Sequence, residues 1–373
     1  FPNCVELQAA IEAVNLGLED YSAKLAAMPT VETFAIGRKK MEELLALKQI
    51  EKSPEQLRDM AAAYMAETNE LIERLRTRLV RKYGLDANTD AAGLQDFLNQ
   101  RFAVSLDNGE LTSILDIYQR EREYIRGFIE ERQLFPIPED EDMVIMATPG
   151  FLEPVIPAGA MWPPLPLREG TAKSMVHLTL KEDELAEHTH LGICNMMMHE
   201  GIPGHHLQFA SAARQPSLIR RLFDAAEHAE GWTTMLEDYM LDVGCVSPEI
   251  EDEVRFIARR DISRLVARVG IDLYFMSGDR QFLDVGLDLD FSSEDPFENA
   301  ALLLKEATGF SDGRVQSELN WYSKEQGYPL SYLTGNRLVW ELKNDLAAAN
   351  PRQLSSEDLD REFHRIYLQS GCM

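Results

Sequence analysis

The sequence predicts a mainly α-helical fold that carries one small β element. The first observation is a set of apolar stripes at helical spacing, such as Leu71, Leu75 and Leu79, which predicts long amphipathic helices. The second is that residues 135–170 are rich in proline and glycine. This composition predicts a loop, because proline removes a backbone hydrogen-bond donor. The third is the β-like run at residues 175–180, the best strand candidate in the chain.

The bulk composition limits the class of protein. The chain has 373 residues, of which 45% are apolar, so it is long enough to bury a large core in one or two domains. Its formal net charge is -26. This charge argues against nucleic acid or an anionic membrane surface as a partner, because both need a basic face. No apolar run approaches the roughly 20 residues of a membrane span.

The number and spacing of the cysteines predict the cellular location of the protein. Cys4, Cys194, Cys245 and Cys372 show no short C-x-x-C spacing and are too few for a disulfide framework in a chain of this size. We therefore expect reduced thiols and a cytoplasmic protein. The chain begins at Phe1 and not at Met, so an export signal stays open as the alternative.

Helix signals follow one another along the chain. Ser53 stands as an N-cap before Pro54, and Gln56 three residues on completes a capping box. Apolar periodicity predicts further helices at residues 110–133, 254–269, 302–321, 332–348 and 357–368. We divide the chain into an N-terminal helical part, residues 1–134, and a part that carries the chemistry, residues 135–373, and expect both to form one continuous domain.

A cluster of histidines marks the candidate site. Three of the eight histidines fall between His199 and His206, directly after the apolar run 191–198, which predicts a buried helix. A histidine and a glutamate at the end of such a helix are costly to bury without partners. A metal ion would supply a partner, so the cluster predicts a metal site.

The spacing of the cluster departs from the usual zinc motif. Two histidines four apart on a helix share one ion, but the residue four after His199 is Pro203. His206 is seven residues on, about 10.5 Å along an ideal helix, which is too far for easy sharing. A distortion at Pro203 and Gly204 would bring His205 to the ion. We expect His205 as the ligand and His206 behind the ligands or on the substrate side.

A catalytic zinc ion needs a third protein ligand and one open position. Glu230 lies about where a following helix would supply a carboxylate, and Glu237 lies two turns further on. We expect Glu237 behind the ligands or on the substrate side. The alternative is that Glu237 and Asp238 are ordinary solvated charges, and for Glu237 this alternative fits equally well. Glu200, beside the first histidine, is the expected general base.

Two blocks of this sequence resemble a known family. Residues 199–208 read HEGIPGHHLQ, and residues 229–232 read AEGW, with Glu237 following. Both look like signatures of the DUF885 family of bacterial proteins, and weaker matches extend the resemblance over roughly residues 30–373. Members are similar in fold to the M32 carboxypeptidases, so the resemblance implies a zincin-like, gluzincin helical fold.

The resemblance also implies roles for single residues. By position, His199, His205 and Glu230 would hold one zinc ion, and Glu200 would be the base. Tyr332 matches a family tyrosine and could donate a hydrogen bond to an oxyanion. The alternative for Tyr332 is a tyrosine packed in its helix.

The chain departs from the family pattern in three places. Tyr328 stands where the family has glutamine, and Asp272 stands where members often have histidine. Residues 233–235 read TTM where the family has Ala-Leu-Tyr. These departures concern the substrate side more than the metal side.

The sequence therefore predicts a zinc-dependent hydrolase, a carboxypeptidase-like or oligopeptidase-like metallopeptidase that cleaves a peptide or a small amide. One alternative is a catalytically degenerate helical protein that binds a metal ion or a peptide. Another is a hydrolase that uses the same chemistry on a non-peptide amide or ester.

Overall fold

The computed structural model of the chain describes residues 4–30, 34–153, 156, 159–165, 167, 172–181, 185, 188–350 and 353–372. It divides the chain into two compact units, Phe1–Ala35 and Ile36–Met373. The described helix of the first unit is α1, Cys4–Ala26. The second unit contains every candidate site residue. The predicted division after residue 134 stays a prediction.

The second unit is mainly helical, as the sequence predicts. Its helices are α2 (Arg38–Leu47), α3 (Pro54–Tyr83), α4 (Ala91–Arg101), α5 (Ile114–Arg132), α6 (His190–Glu200), α7 (His205–Ala212), α8 (Leu218–Leu222), α9 (Ala226–Asp242), α10 (Glu251–Ile262), α11 (Arg264–Ser277), α12 (Pro296–Thr308), α13 (Asp312–Tyr322), α14 (Ser331–Ala349) and α15 (Ser356–Gln369). Among the described helices, none has the length and apolar character that crossing a lipid bilayer demands.

A three-stranded sheet lies between α5 and α6 in the chain. Its strands are β1 (Glu141–Ala147), β2 (Gly159–Trp162) and β3 (Ala172–Leu178), in the order β1-β3-β2. β1 runs parallel to β3, and β2 runs antiparallel to it. In the register, Met143 lies opposite Ser174, and both are buried. The small β element is therefore confirmed, and β3 includes most of the predicted strand.

The prediction of a loop over residues 135–170 is wrong for β1 and β2. β1 occupies the proline-free stretch of that region, where Met143 is buried and Val144 beside it is exposed. This alternation is the period-two pattern of a half-buried strand. The prolines and glycines on either side of β1 obscured the strand in the sequence, because they set the composition of the whole region.

Helix ends follow local capping chemistry. The Ser53 hydroxyl accepts the backbone N–H of Gln56, and the Gln56 side chain accepts the N–H of Ser53, which confirms the predicted capping box. Two predicted single helices are wrong. The first divides at Ser263 into α10 and α11, and the second ends at Gly309, which has a left-handed φ of 74° and separates α12 from α13.

One large core joins the helices and the sheet. Trp232 is fully buried within it, and α6 is buried along most of its length, as the sequence predicts. Cys194, Cys245 and Cys372 are free thiols, and all three are buried. The predicted metal ligands therefore lie on elements that pack into this core.

Two glycines allow α9 and α14 to approach at backbone distance. A Cβ atom at Gly231 would lie 2.5 Å from the carbonyl carbon of Gly335, and a Cβ atom at Gly335 would overlap the carbonyl oxygen of Glu227. Real Cβ atoms do not approach that closely, so only glycine fits at this crossing. Gly231 follows Glu230 and Gly335 lies one turn after Tyr332, so the crossing sets how these two residues face one another.

Candidate metal centre

The site begins where α6 ends. Thr189 caps α6 by accepting the Gly192 N–H at 3.1 Å, and the helix runs to Glu200. The chain then turns through residues 201–204, which contain the cis Ile202–Pro203 peptide bond, and α7 begins at His205. A Cβ atom at Gly204 would overlap the backbone of His199, so the turn folds tightly against the last turn of α6.

This turn brings His205 to His199. The two imidazole rings have their centroids 5.0 Å apart at an angle of 84°. The turn is fixed from the side of α9, because the Trp232 indole N–H donates to the Pro203 carbonyl oxygen at 3.0 Å. The expected distortion at Pro203 and Gly204 is therefore present, and a regular helix from His199 to His206 is not.

Glu230 of α9 completes the group. One ligand atom from each of His199, His205 and Glu230 lies within 4.8 Å of the others, and all three residues are buried. The Glu230 Oε2 atom is 3.7 Å from His199 Nε2 and 3.3 Å from His205 Nε2. Among the described residues this is the group of His, Cys, Asp and Glu side chains whose geometry could hold a metal ion.

The chemistry of this group fits a zinc ion. Two imidazole nitrogens and one carboxylate oxygen form a ligand set that catalytic zinc sites use. Glu230 Oε2 is buried and accepts no hydrogen bond from the part of the chain that the structure describes. A buried carboxylate oxygen without a donor is costly, and an ion between it and the two histidines would satisfy it.

Glu237 orients the first histidine from behind. Its Oε1 atom lies 2.8 Å from His199 Nδ1, so the other ring nitrogen, Nε2, faces Glu230. Glu237 is 1% exposed, and its second oxygen accepts the Asn195 amide at 3.3 Å. The expected position behind the ligands is thus where the structure places Glu237. The alternative of a solvated charge is wrong for this residue, because its side chain is buried.

The charges in the group stabilise one another. Burial alone would lower the pKa of His199, but the Glu230 and Glu237 carboxylates outweigh it and raise this pKa to about 10. Burial would raise the pKa of Glu230, yet His205 and His199 hold it well below its usual value. The carboxylate of Glu230 is therefore ionised, as a metal ligand must be.

His206 lies apart from this group. Its Nδ1 atom is 2.7 Å from the Ser174 hydroxyl and its Nε2 atom is 2.5 Å from Glu141 Oε2, so α7 is tied to β3 and β1. The ring is fully buried. His206 was expected behind the ligands or on the substrate side, but the structure bonds both of its ring nitrogens to the sheet instead. Burial lowers the pKa of His206 to about 4.

The expected base and oxyanion donor lie near the three ligands. Glu200 is the last residue of α6 and is only partly buried. It is near enough to His199 and to Tyr332 to raise the pKa of both. Burial first, and the Glu230 carboxylate next, raise the pKa of Tyr332 well above its usual value, so this phenol keeps its proton.

Sequence reasoning missed two buried arginines of α11. Arg268 donates to Glu318 at 2.9 Å, and its guanidinium lies 4.2 Å from the centre of the Tyr332 ring. Arg264 lies 3.5 Å from Glu237. A usable signal existed, because the two arginines stand four apart, on one helix face, within an otherwise apolar run. Together they fix Tyr332 and Glu237 from the same side.

Sequence reasoning also treated Tyr328 only as a departure from the family pattern. Its hydroxyl donates to Glu230 Oε1 at 2.6 Å, so it contacts the carboxylate of the metal group directly. Burial and the Glu230 charge raise the pKa of Tyr328 far above its usual value, so this phenol also stays protonated. A contact between residues 98 positions apart in the chain leaves no local pattern.

Comparison with known proteins gives one family and one fold. The model of a family described as "Bacterial protein of unknown function (DUF885)" matches residues 5–373. No functionally curated protein gives a significant match.

Two similar solved structures cover most of this chain. One is a candidate lipoprotein from Colwellia psychrerythraea, with a TM-score of 0.71 and 19% identity over 90% of this chain and 54% of that one. The other is a candidate lipoprotein of unknown function from Shewanella oneidensis, with a TM-score of 0.73 and 17% identity over 98% of this chain and 63% of that one. At these identities the likeness shows the fold alone, and this chain spans less than two thirds of either structure.

Proposed function

The chain belongs to the DUF885 family, and we propose that it is a zinc-dependent hydrolase that cleaves peptide or amide bonds. The observation that carries the proposal is the buried group His199, His205 and Glu230 with its unpartnered carboxylate oxygen, which lies beside Glu200. Two histidines, a ligand carboxylate and an adjacent carboxylate are the groups that zinc-assisted amide hydrolysis uses.

Each residue has a proposed role. A zinc ion with three protein ligands and an open position supplies Lewis-acid activation of water and of a carbonyl group when it is bound. Glu200 accepts the proton of the attacking water and returns it to the leaving nitrogen. Tyr332, a protonated phenol near Glu200, donates a hydrogen bond to the oxyanion. Glu237 holds the His199 ring in the tautomer that turns Nε2 toward the ion.

The proposed substrate class is a peptide or a small amide, cleaved in a carboxypeptidase-like or oligopeptidase-like manner. This part rests on the family's likeness to helical gluzincins and on the ligand set. The gluzincin relationship itself is part of the proposal.

We propose an exported location in place of the predicted cytoplasmic one. The two similar structures described above are candidate lipoproteins, and lipoproteins are exported. The argument from four cysteines is weaker than these two likenesses, because buried thiols need no particular compartment.

The test combines metal content with turnover. The parent chain, Glu200→Gln and the control Glu131→Gln, an exposed glutamate of α5, are purified, analysed for bound metal and assayed on a library of short peptides and amides. We expect about one zinc ion per chain in all three. Turnover should fall at least about 100-fold in Glu200→Gln alone, because general acid–base catalysis contributes that much.

Three outcomes would contradict the proposal in different ways. A parent chain that binds no zinc ion would exclude the metal centre. Equal turnover by Glu200→Gln and the parent would remove Glu200 as the base. A zinc-loaded parent that cleaves nothing in the library would favour the non-catalytic metal-binding protein instead.

A further inference from the structure

Asp272 and the loop that carries Tyr328 meet in the structure. Asp272 of α11 is fully buried. Its Oδ1 atom accepts the Gly327 N–H at 2.9 Å, and its Oδ2 atom accepts the Leu330 N–H at 3.1 Å. These two amides lie on either side of Tyr328, so one carboxylate clamps both ends of the short loop that carries the tyrosine.

The clamped loop also rests against α2. Gly327 has a left-handed φ of 82°, and a Cβ atom there would lie 2.7 Å from the side chain of Leu44. Any other residue at this position would therefore be strained as well as crowded. The loop is fixed by its hydrogen bonds to Asp272 on one side and by close packing on the other.

The Tyr328 side chain leads from this loop to the metal group. Its ring packs edge-on against Trp321 with centroids 5.2 Å apart, and against Tyr332 with centroids 5.9 Å apart. Its hydroxyl donates to Glu230 Oε1 at 2.6 Å. Among the described residues, that bond occupies Oε1, while Oε2, which faces the two histidines, accepts none.

We propose that Asp272 and Tyr328 form one positioning unit, in which Asp272 fixes the loop so that the Tyr328 hydroxyl holds Glu230 Oε1 and leaves Oε2 alone to bind the metal ion. A carboxylate with both oxygens free can rotate about its terminal bond or bind through either oxygen. A donor on one oxygen removes that freedom. The carboxylate then loses less conformational freedom when the metal ion binds, which raises the affinity for the ion. Asp272 and Tyr328 thus serve one purpose on the metal side.

This inference rests on the proposed zinc centre, and its test measures metal affinity in the full chain. Zinc affinity is determined by competition with a chelator for the parent, Tyr328→Phe, Tyr328→Gln and Asp272→Asn. The control is Tyr83→Phe. It removes a phenol hydroxyl that also donates to a glutamate carboxylate, that of Glu253, which is outside the metal group. Thermal unfolding of the metal-free proteins is measured in parallel, so that a loss of fold is separated from a loss of affinity.

We expect Tyr328→Phe to bind zinc about 10- to 100-fold more weakly, the range found when groups behind metal ligands are removed. Tyr83→Phe should bind as the parent does. Tyr328→Gln should recover part of the loss, because its amide can donate to the same oxygen. Asp272→Asn keeps the volume of the side chain but replaces one acceptor by a donor, so it should weaken binding as well.

The double variant Asp272→Asn/Tyr328→Phe distinguishes a unit from two independent residues. If Asp272 acts through Tyr328, the double variant should bind no more weakly than the weaker single variant. If the fold-losses in zinc affinity of the two single variants multiply in the double variant, the two residues act independently and the proposed unit is wrong. If Tyr328→Phe binds zinc as tightly as the parent, the proposed role of Tyr328 is wrong. A parent that binds no zinc would overturn this inference together with the proposed function, whereas a zinc-binding parent with unaffected variants would overturn this inference alone.

Discussion

The histidine side and the carboxylate side of the centre are built in different ways. His199 and His205 stand six residues apart, and one tight turn at residues 201–204 brings them together. Glu230 comes from α9, which crosses α14 at Gly231 and Gly335, and its Oε1 atom accepts the hydroxyl of Tyr328 on the loop after α13. The first side is a local feature of the chain, and the second depends on tertiary packing.

This difference indicates which substitutions will disturb the histidine side and which will disturb the carboxylate side. A change in the turn at residues 201–204 acts on the histidines directly, whereas a change far from residue 230 in the sequence can displace the carboxylate. Glu237 links the two sides, because it lies on α9 with Glu230 yet contacts His199 of α6. The following predictions act on the carboxylate side, on this link and on the support beneath the Tyr328 loop.

The largest effect is expected from Gly335→Ala. The new methyl group would overlap the Glu227 carbonyl oxygen, so α9 and α14 must separate. We expect a loss of about 2–3 kcal/mol in the free energy of unfolding, as for overpacked cores, and weaker zinc binding because Glu230 moves with α9. Denaturant unfolding and chelator competition measure the two effects.

The control for this change is Gly127→Ala within α5. A methyl group there meets no atom within 4 Å, so alanine should leave the stability unchanged or raise it by up to about 1 kcal/mol through its better helix propensity. If Gly335→Ala is as stable as Gly127→Ala, close helix approach does not hold the carboxylate side together.

A smaller effect is expected from Glu237→Gln. The amide keeps the shape of the side chain but loses the charge that orients His199, so zinc affinity should fall about 10- to 100-fold. Glu253→Gln, which neutralises another fully buried carboxylate that is bonded to Tyr83, is the matched control and should leave affinity unchanged. Equal affinities for the two variants would show that Glu237 does not link the two sides.

The smallest effect concerns pH and the support beneath the Tyr328 loop. Burial raises the pKa of Asp272 from its ordinary 3.8 to about 7, although its two backbone hydrogen bonds and the nearby Lys48 oppose the shift. Between pH 3.8 and about pH 7, the Asp272 carboxyl is therefore protonated in the folded state and ionised in the unfolded chain. This stabilisation is complete below about pH 3.8 and is lost as the pH rises through about 7.

We therefore expect the parent to lose about 1 kcal/mol of unfolding free energy, relative to Asp272→Asn, when the pH rises from 5 to 6. Denaturant titrations of both proteins at the two pH values measure the difference. The two proteins share all their other ionisable groups. If their unfolding free energies change equally between pH 5 and pH 6, Asp272 does not titrate in this range.

Features with a local signal were predicted from the sequence. The capping box at Ser53 and Gln56 was confirmed because all its partners lie within four residues. The two strands before β3 were missed because neighbouring prolines dominate their region. The ends of α10 and α12 were missed because an apolar period continues across Ser263 and Gly309, although α10 ends at Ile262 and the backbone turns left-handed at Gly309.

The same distinction holds at the site. His199, His205 and Glu230 were found because two compact blocks of sequence contain them, and the family resemblance assigned them as a group. His206 was misplaced because nothing in its block reveals that Glu141 and Ser174 enclose it. The contact of Tyr328 with Glu230 and that of Asp272 with the Tyr328 loop join distant segments, and only the folded chain brings them together.

The buried thiols of the core have a chemical consequence. Burial raises the pKa of Cys245 to about 12 and of Cys372 to about 11, and it raises the pKa of Cys194 well above its usual value. Only the thiolate attacks disulfides and oxidants, so these three side chains stay protonated and unreactive. These three thiols therefore suit an oxidising environment as well as a reducing one, without a single crosslink among them.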